Sequence, residues 1–339
     1  MIDRKQRIDH FLAANGWRTG DVRPLADDAS FRSYHRLEAG DRKAVMMDAP
    51  PEHEDVRPFV TIARHLLSLG LSAPRILAED AETGLLLLED LGDDTFTRLL
   101  KNGADETALY ALAIDVLIHL HQLPPSQTVP AGTPAYDNDR LLDEALLFTD
   151  WYLPTVLDAP PSENMRNGYI DAWNKVLPIV YVQPLTLVLR DFHVDNLMRL
   201  PDRDGVSACG LLDFQDAVAG ATAYDVMSLL EDARRDIAPG LKDAMMTRYV
   251  DGMGDLDRPG FEAAFAILAA QRHAKVIGIF TRLCRRDGKA GYLVHIPRIW
   301  RLLEQALRHP ALAPVSAWFD RNVPVGVRGV PARQPEAVK

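Results

Sequence analysis

Ile8, Phe11, Leu12 and Trp17 recur at the spacing of one helix face, and Asn15-Gly16 supplies the stop. Residues 22–37 then read as strand, loop, strand around the polar centre Asp27-Asp28-Ala29-Ser30, and residues 43–47 as a further strand. Pro50-Pro51 breaks the chain. Pro58 suits the first turn of a helix running to Leu69, with Gly70 closing its C-terminal end. Two more strands follow at 73–77 and 85–89, turned by Thr83-Gly84. After Glu89-Asp90-Leu91-Gly92, read as a hinge, the period changes. Helical spacing governs 106–122, 139–153, 161–180, 223–234 and 260–285, and only 185–214 reads as strands with a hairpin. The expectation is an α+β chain: a small antiparallel-sheet lobe with one helix over 1–90, a larger, mainly helical lobe over 91–325, and a loose tail over 326–339.

The 339 residues are 25% charged and 47% hydrophobic, which describes an ordinary globular chain. A formal net charge of −10 argues against a nucleic-acid partner, though a local basic pocket for an anionic nucleotide remains compatible with it. The two cysteines, Cys209 and Cys284, are too few for a disulfide framework. The N-terminal residues lack a signal-peptide apolar region, and no apolar run approaches the ~20 residues of a membrane span. A cytoplasmic monomer without a membrane partner is expected.

The chemistry concentrates in two segments. Leu189-Arg190-Asp191-Phe192-His193-Val194-Asp195-Asn196 has Asp followed five residues later by Asn, the spacing of a kinase catalytic loop. Asp191 would orient or accept the acceptor hydroxyl proton, and Asn196 would hold a metal ion on the phosphates. Gly210-Leu211-Leu212-Asp213-Phe214-Gln215 ends an apolar strand, and the turn-rich Pro201-Asp202-Arg203-Asp204-Gly205 folds that strand back. A hairpin here brings Asp213 beside Asn196, giving two oxygen donors suited to Mg²⁺. Either segment alone is a common accident; the ordered pair after a sheet lobe predicts a protein-kinase-like two-lobed fold using ATP and Mg²⁺.

The segment 25–34, with Ser30, Phe31 and Arg32, sits where a kinase covers the phosphates, although it is not Gly-rich; a plain hairpin turn is the competing reading. Backbone groups of Glu89 and Leu91 are expected to read the adenine edge, with Leu25 and Val45 against the ring. The strand lysine of kinases should fall near 45–47, where this chain has Val45-Met46-Met47. Lys43 lies at the strand's start, and Glu52 and Glu54 precede the next helix instead of lying on it. The Lys–Glu pair is therefore expected to be absent, with Arg32 or Arg36 as the replacement charge.

At these residues the chain resembles the aminoglycoside phosphotransferase/choline kinase superfamily over nearly its whole length. The resemblance includes Leu212 to Gly220 and Tyr224-Asp225-Val226. It is nearer still to the anomeric N-acetylmuramate/N-acetylglucosamine kinases of Gram-negative cell-wall recycling. That likeness is carried by Asp28 to Tyr34, Met47 to Glu52, Leu87 to Gly92, Phe148 to Leu153, Gln271 to Phe280, Arg282-Leu283 and Arg286 to Lys289. The resemblance implies phosphorylation of the anomeric hydroxyl of an N-acetylated amino sugar, giving the sugar 1-phosphate. The acceptor is then expected to meet His193, Asp150 and Trp151, and a sugar carboxylate to meet Arg272, Lys275, Arg282 or Arg286. A packed histidine, a core tryptophan and a solvated basic helix face are the competing readings. Asp225 reads as structural. The other classes are a kinase of another metabolite (aminoglycoside, choline, homoserine), of which the basic region 271–289 argues mildly against the cationic aminoglycoside and choline, and a nucleotide-binding pseudokinase.

Overall fold

The structure is a computed structural model and describes residues 3–18, 22–25 and 31–331. In chain order its elements are α1 (Arg4–Ala14), β1 (Val22–Pro24), β2 (Ser33–Ala39), β3 (Arg42–Asp48), α2 (Arg57–Ser68), β4 (Ile76–Asp80), β5 (Leu85–Leu88), α3 (Phe96–Lys101), α4 (Glu106–Gln122), α5 (Pro125–Thr128), α6 (Asn138–Leu147), α7 (Leu153–Leu157), α8 (Glu163–Val176), β6 (Leu185–Val188), β7 (Leu197–Arg199), β8 (Cys209–Leu211), β9 (Val218–Ala221), α9 (Ala223–Leu230), α10 (Leu241–Met253), α11 (Arg258–Asp287), α12 (Ile296–Ala306) and α13 (Ala313–Asn322). The expected class holds: an antiparallel sheet lobe is followed by a mostly helical one.

The sheet runs β1-β2-β3-β5-β4, each pair antiparallel. Ala39 pairs with Arg42, so Gly40-Asp41 makes a two-residue hairpin loop, and Gly40 takes the positive φ (61°) such a turn demands. Strand alternation divides the side chains between two faces. Leu37, Ala44, Met46, Leu85 and Leu87 pack on Phe11, Leu12 and Trp17, forming one buried cluster. Val45 and Leu88, directly paired across the sheet, both line a cleft. Helix α2 opens with proline in its first turn and buries Phe59, Val60, Ile62, Ala63 and Leu66.

Two compact units emerge, and their limits do not follow the expected boundary near residue 90. The first comprises Met1–Leu120 and Leu189–Ala217, and the second His121–Val188 and Val218–Lys339. Hydrogen bonding explains the first. The β7–β8 hairpin is tied to the preceding segments by Leu211 N–H to Ser72 O (2.7 Å), Arg199 N–H to Asp94 O (2.8 Å) and Ser72 Oγ to Ser207 O (2.6 Å).

In the second unit α11 is the central element, with α6, α9 and α12 against it. A Cβ on Gly278 would stand 2.3 Å from both the carbonyl carbon and the oxygen of Leu147, so only glycine permits this approach. Contrary to the expectation of no span-length run, α11 is long and apolar enough to cross a membrane. However, 89% of its apolar window is buried within the protein, as in a core helix.

The helix expected over 139–153 forms, running from Asn138 to Leu157, but with a π-helical segment at Phe148–Tyr152. Pro154 has no N–H for the helical ladder, and the backbone shifts register at Phe148–Tyr152, where Leu153 N–H reaches back to Phe148 O. The shift buries Phe148 and Tyr152 and leaves Asp150 exposed. The tail expected to be loose from 326 is anchored through 329: the Tyr152 hydroxyl donates toward the Val327 and Gly329 carbonyls, and Arg328 pairs with Glu304 and Asp320. Residues 332–339 lie outside the described residues.

Candidate active site

β6 ends at Val188, and the polar loop begins with the next residues. Arg190 adopts a left-handed φ of 70° and Asp213 one of 58°; each costs a non-glycine residue about 1–2 kcal/mol. Strain of this kind persists where the surroundings over-determine it. Here the determinants are on both sides. Asp191 N–H bonds Leu189 O (2.9 Å), Arg190 Nη1 donates to Asp216 O (3.4 Å), and Phe214 is buried and stacked on Phe59 of α2 with ring centroids 4.9 Å apart.

Asn196 joins the two segments. Its Nδ2 donates to Asp191 O (2.9 Å) and to Asp213 Oδ2 (3.3 Å), while its own carbonyl accepts from Leu212 N–H (3.0 Å). With both amide protons used, Asn196 Oδ1 is the side-chain atom left to meet a cation. Gln215, which stands where kinases have glycine, donates to Asp213 Oδ1 (2.8 Å). Among the described residues no group of three or more His, Cys, Asp or Glu is spaced to hold a metal ion. An amide oxygen plus a carboxylate nevertheless suits Mg²⁺, which keeps several waters and takes its other oxygens from phosphates.

Asn196 and Asp213 line one end of a cleft of about 430 Å³, whose wall also includes Leu25, Val45, Leu88, Glu89 and Leu91. Glu89 N–H is already bonded to Arg75 O (2.8 Å), so of the Glu89 backbone only the carbonyl is offered to the cleft. Side chains hold this segment from two directions. Arg203 Nη2 lies 2.6 Å from Glu89 Oε1, and Arg36 binds Asp90 (2.8 Å) and Asp93 (2.9 Å). Burial would lower the Arg36 pKa, but its hydrogen bonds to Asp93 and Asp90 hold it above the ordinary value. Arg36 is therefore committed to the hinge carboxylates.

Arg32 is placed differently. Its Nη2 is 3.7 Å from Asp213 Oδ1 and its Nε 4.0 Å from Glu54 Oε1. Among the described residues no lysine–glutamate pair forms from β3, as expected; Glu54 instead reaches Arg32 from the turn before α2. Phe31 is 67% exposed and stacked on His53 at 4.5 Å. Ser30 lies outside the described residues.

Of the expected acceptor residues, His193 belongs to the first unit and the others to the second. His193 is buried, with Nδ1 4.0 Å from Asp195 Oδ2, and Asp195 in turn accepts from Thr97. In the second unit Asp150 forms an ion pair with Arg166 at 3.2 Å, and Trp151 is half-buried. Arg272 and Lys275 do not form a solvated basic face; both are buried. Lys275 Nζ lies 2.9 Å from Glu144 Oε1, Tyr136 donates to Glu144 Oε2 (2.5 Å), and Arg272 Nη1 donates to the Tyr224 hydroxyl (3.1 Å). Arg282 and Arg286 lie ten and fourteen residues beyond Arg272, roughly 15 and 20 Å along the helix. Burial, then Arg286, pushes the Arg282 guanidinium below its usual value, while Arg286 pairs with Asp287 at 2.7 Å. The polar network of Tyr136, Glu144, Tyr224 and Gln271 escaped the sequence reading; only the i,i+4 spacing of Gln271 and Lys275 hints at it. Also unread was the buried Glu231, bonded to His273 (2.6 Å) and Lys242 (2.5 Å).

Comparison with known proteins agrees with this geometry. The family described as "Phosphotransferase enzyme family" matches residues 21–261. An N-acetylmuramate/N-acetylglucosamine kinase of Caulobacter vibrioides is 38% identical over 354 aligned positions, covering 94% of this chain and 96% of its own. A protein of the same name from Pseudomonas aeruginosa is 40% identical over 321, covering 90% of each chain. In fold, the chain is similar to a choline/ethanolamine kinase family protein from Mesorhizobium loti, with a TM-score of 0.62 at 15% identity, over 93% of this chain and 99% of that one. This chain belongs to the phosphotransferase enzyme family.

Proposed function

We propose that this protein transfers the γ-phosphoryl group of ATP to the anomeric hydroxyl of N-acetylmuramate or N-acetylglucosamine, yielding the sugar 1-phosphate. The observation that carries the reading is the bridge from Asn196 to both Asp191 and Asp213. It supports reading Asp191 as the base and Asn196 and Asp213 as the metal-facing residues of one braced loop pair, the set phosphoryl transfer requires. The names of the similar proteins support the acceptor.

Asn196 and Asp213 would hold Mg²⁺, which when bound would neutralise negative charge on the phosphates. The Glu89 carbonyl would accept from the adenine amino group and the Leu91 N–H would donate to the ring, with Leu25, Val45 and Leu88 as its apolar walls. Asp191 takes the hydrogen bond of the anomeric hydroxyl and receives its proton as the bond to phosphorus forms. A loose transition state asks for positioning and charge neutralisation above all. His193 stands two residues from the base and would hydrogen-bond the sugar. The buried Arg272–Tyr224 and Lys275–Glu144 pairs and the Asp150–Trp151 turn would shape the acceptor side, with Arg282 and Arg286 less favoured. Lys275 already has a carboxylate partner, so this helix presents no free basic face there against a cationic acceptor. Soluble nucleotide and sugar suffice as partners for a cytoplasmic monomer.

The test is ATP consumption with Mg²⁺ across N-acetylmuramate, N-acetylglucosamine, glucosamine, choline, homoserine and kanamycin. Turnover confined to the N-acetylated sugars supports the reading. Turnover of choline, homoserine or kanamycin alone assigns another acceptor, and ATP binding without any turnover points to a nucleotide-binding module.

A further inference from the structure

A phosphoryl-transfer cleft needs a fixed cation on the nucleotide phosphates, and β3 does not supply one. Met46 and Met47 are buried, and Lys43 is exposed across the strand pair from Glu38. Arg36 is taken by Asp90 and Asp93.

Arg32 remains, on the residues leading into β2. Its side chain is only 9% exposed, and it faces two carboxylates, Glu54 at 4.0 Å and Asp213 at 3.7 Å. Two successive residues of this segment meet two successive residues of the turn before α2: Phe31 stacks on His53, and Arg32 pairs with Glu54. That turn is itself rigidly set. His53 and Glu54 N–H both bond Pro50 O (2.9 and 3.0 Å), and Ala49 N–H bonds Gly84 O (2.9 Å). A Cβ at Gly84 would stand 1.9 Å from Ala49 O, and its φ is +70°, so glycine is required for this contact.

We propose that Arg32 is the cation that meets the nucleotide phosphates in place of a strand lysine, and that Glu54 is its positioning residue. Arg32 Nη2 stands 3.7 Å from Asp213 Oδ1; to meet phosphate oxygens the guanidinium would exchange that carboxylate for them while Glu54 keeps hold of it. Glu54 bears on Nε and Asp213 on Nη2, so the exchange needs no release from the clasp. A guanidinium is suited to this because its planar fork matches phosphate oxygens. The inference rests on the nucleotide reading of the cleft.

The experiment measures binding of ATP and of adenosine, both with Mg²⁺, by calorimetry on wild type, Arg32→Ala, Arg32→Lys, Glu54→Gln and the Arg32→Ala/Glu54→Gln double variant, with thermal melts to verify folding. Arg32→Ala should weaken ATP roughly 10- to 100-fold, the scale of a charged hydrogen bond, and leave adenosine unchanged. Glu54→Gln should weaken ATP less, Arg32→Lys should recover part of the loss, and the double variant should match Arg32→Ala. Unchanged ATP affinity in Arg32→Ala overturns the proposal. So does an equal loss of ATP and adenosine in a folded variant, or additive losses in the double variant. If wild type binds neither ligand, the nucleotide reading itself fails, and this inference with it.

Discussion

Asn196 Nδ2 stands 3.3 Å from Asp213 Oδ2, seventeen positions further along the chain across a hairpin, while the same nitrogen holds the Asp191 carbonyl. One amide thus fixes the spacing between the proposed base and the proposed metal carboxylate. Asp213→Asn should therefore fold, since Asn tolerates a φ of 58°, yet raise the Mg²⁺ concentration for half-maximal activity at least roughly tenfold. A magnesium titration of the rate, beside a melting curve, checks both parts.

Asp191→Asn separates chemistry from binding. Loss of the base should lower kcat by about 10²–10⁴, with ATP affinity within a few-fold of wild type, because the cleft walls lie elsewhere. Single-turnover rates and a nucleotide titration measure the two effects.

Gly278→Ala has opposite signs under two physical effects. Helix propensity alone would stabilise α11 by about 1 kcal/mol. The Cβ would stand 2.3 Å from the Leu147 carbonyl, and backbone atoms cannot give way as a side-chain end can. Overpacking of this kind costs about 1–3 kcal/mol, so net destabilisation is expected, read as a lower urea midpoint at an unchanged slope.

His121 is buried against the Tyr249 hydroxyl (2.7 Å), and burial pushes its pKa from 6.5 down to about 3. The folded protein keeps this ring neutral where the unfolded chain protonates it. Its contribution is intact above pH 6.5 and is lost as pH falls toward 3, at up to ~1.4 kcal/mol per pH unit. Glu231 acts below that. Burial raises its pKa, but the hydrogen bond and charge of His273, with Lys242, hold it net below 4.5, so its share is present above pH 4.5 and lost as pH falls through the depressed value. Urea midpoints between pH 7 and 4 should fall for wild type and fall less steeply for His121→Gln.

The meeting of Asp191, Asn196 and Asp213 was legible because its information is local: each is set by a short strand and one hairpin. The Arg32–Glu54 pair was not, because neither residue lies on the element that holds the corresponding kinase group, and only tertiary placement brings them within 4.0 Å. Arg272 and Lys275 misled for a different reason. The middle of helix α11 is buried on nearly all sides, so Arg272 and Lys275 mark no exposed face and find the partners Tyr224 and Glu144 inside. The β6–β9 pair was missed because Val-Ala-Gly-Ala carries no large alternating side chains.

The most direct measurement is the ³¹P and ¹H NMR spectrum of the product formed from N-acetylglucosamine and ATP by wild type and by Asp191→Asn. The account predicts an acid-labile phosphate coupled to the anomeric proton with wild type, and none above background with the variant. A phosphate on any other carbon, or undiminished product from Asp191→Asn, would contradict it.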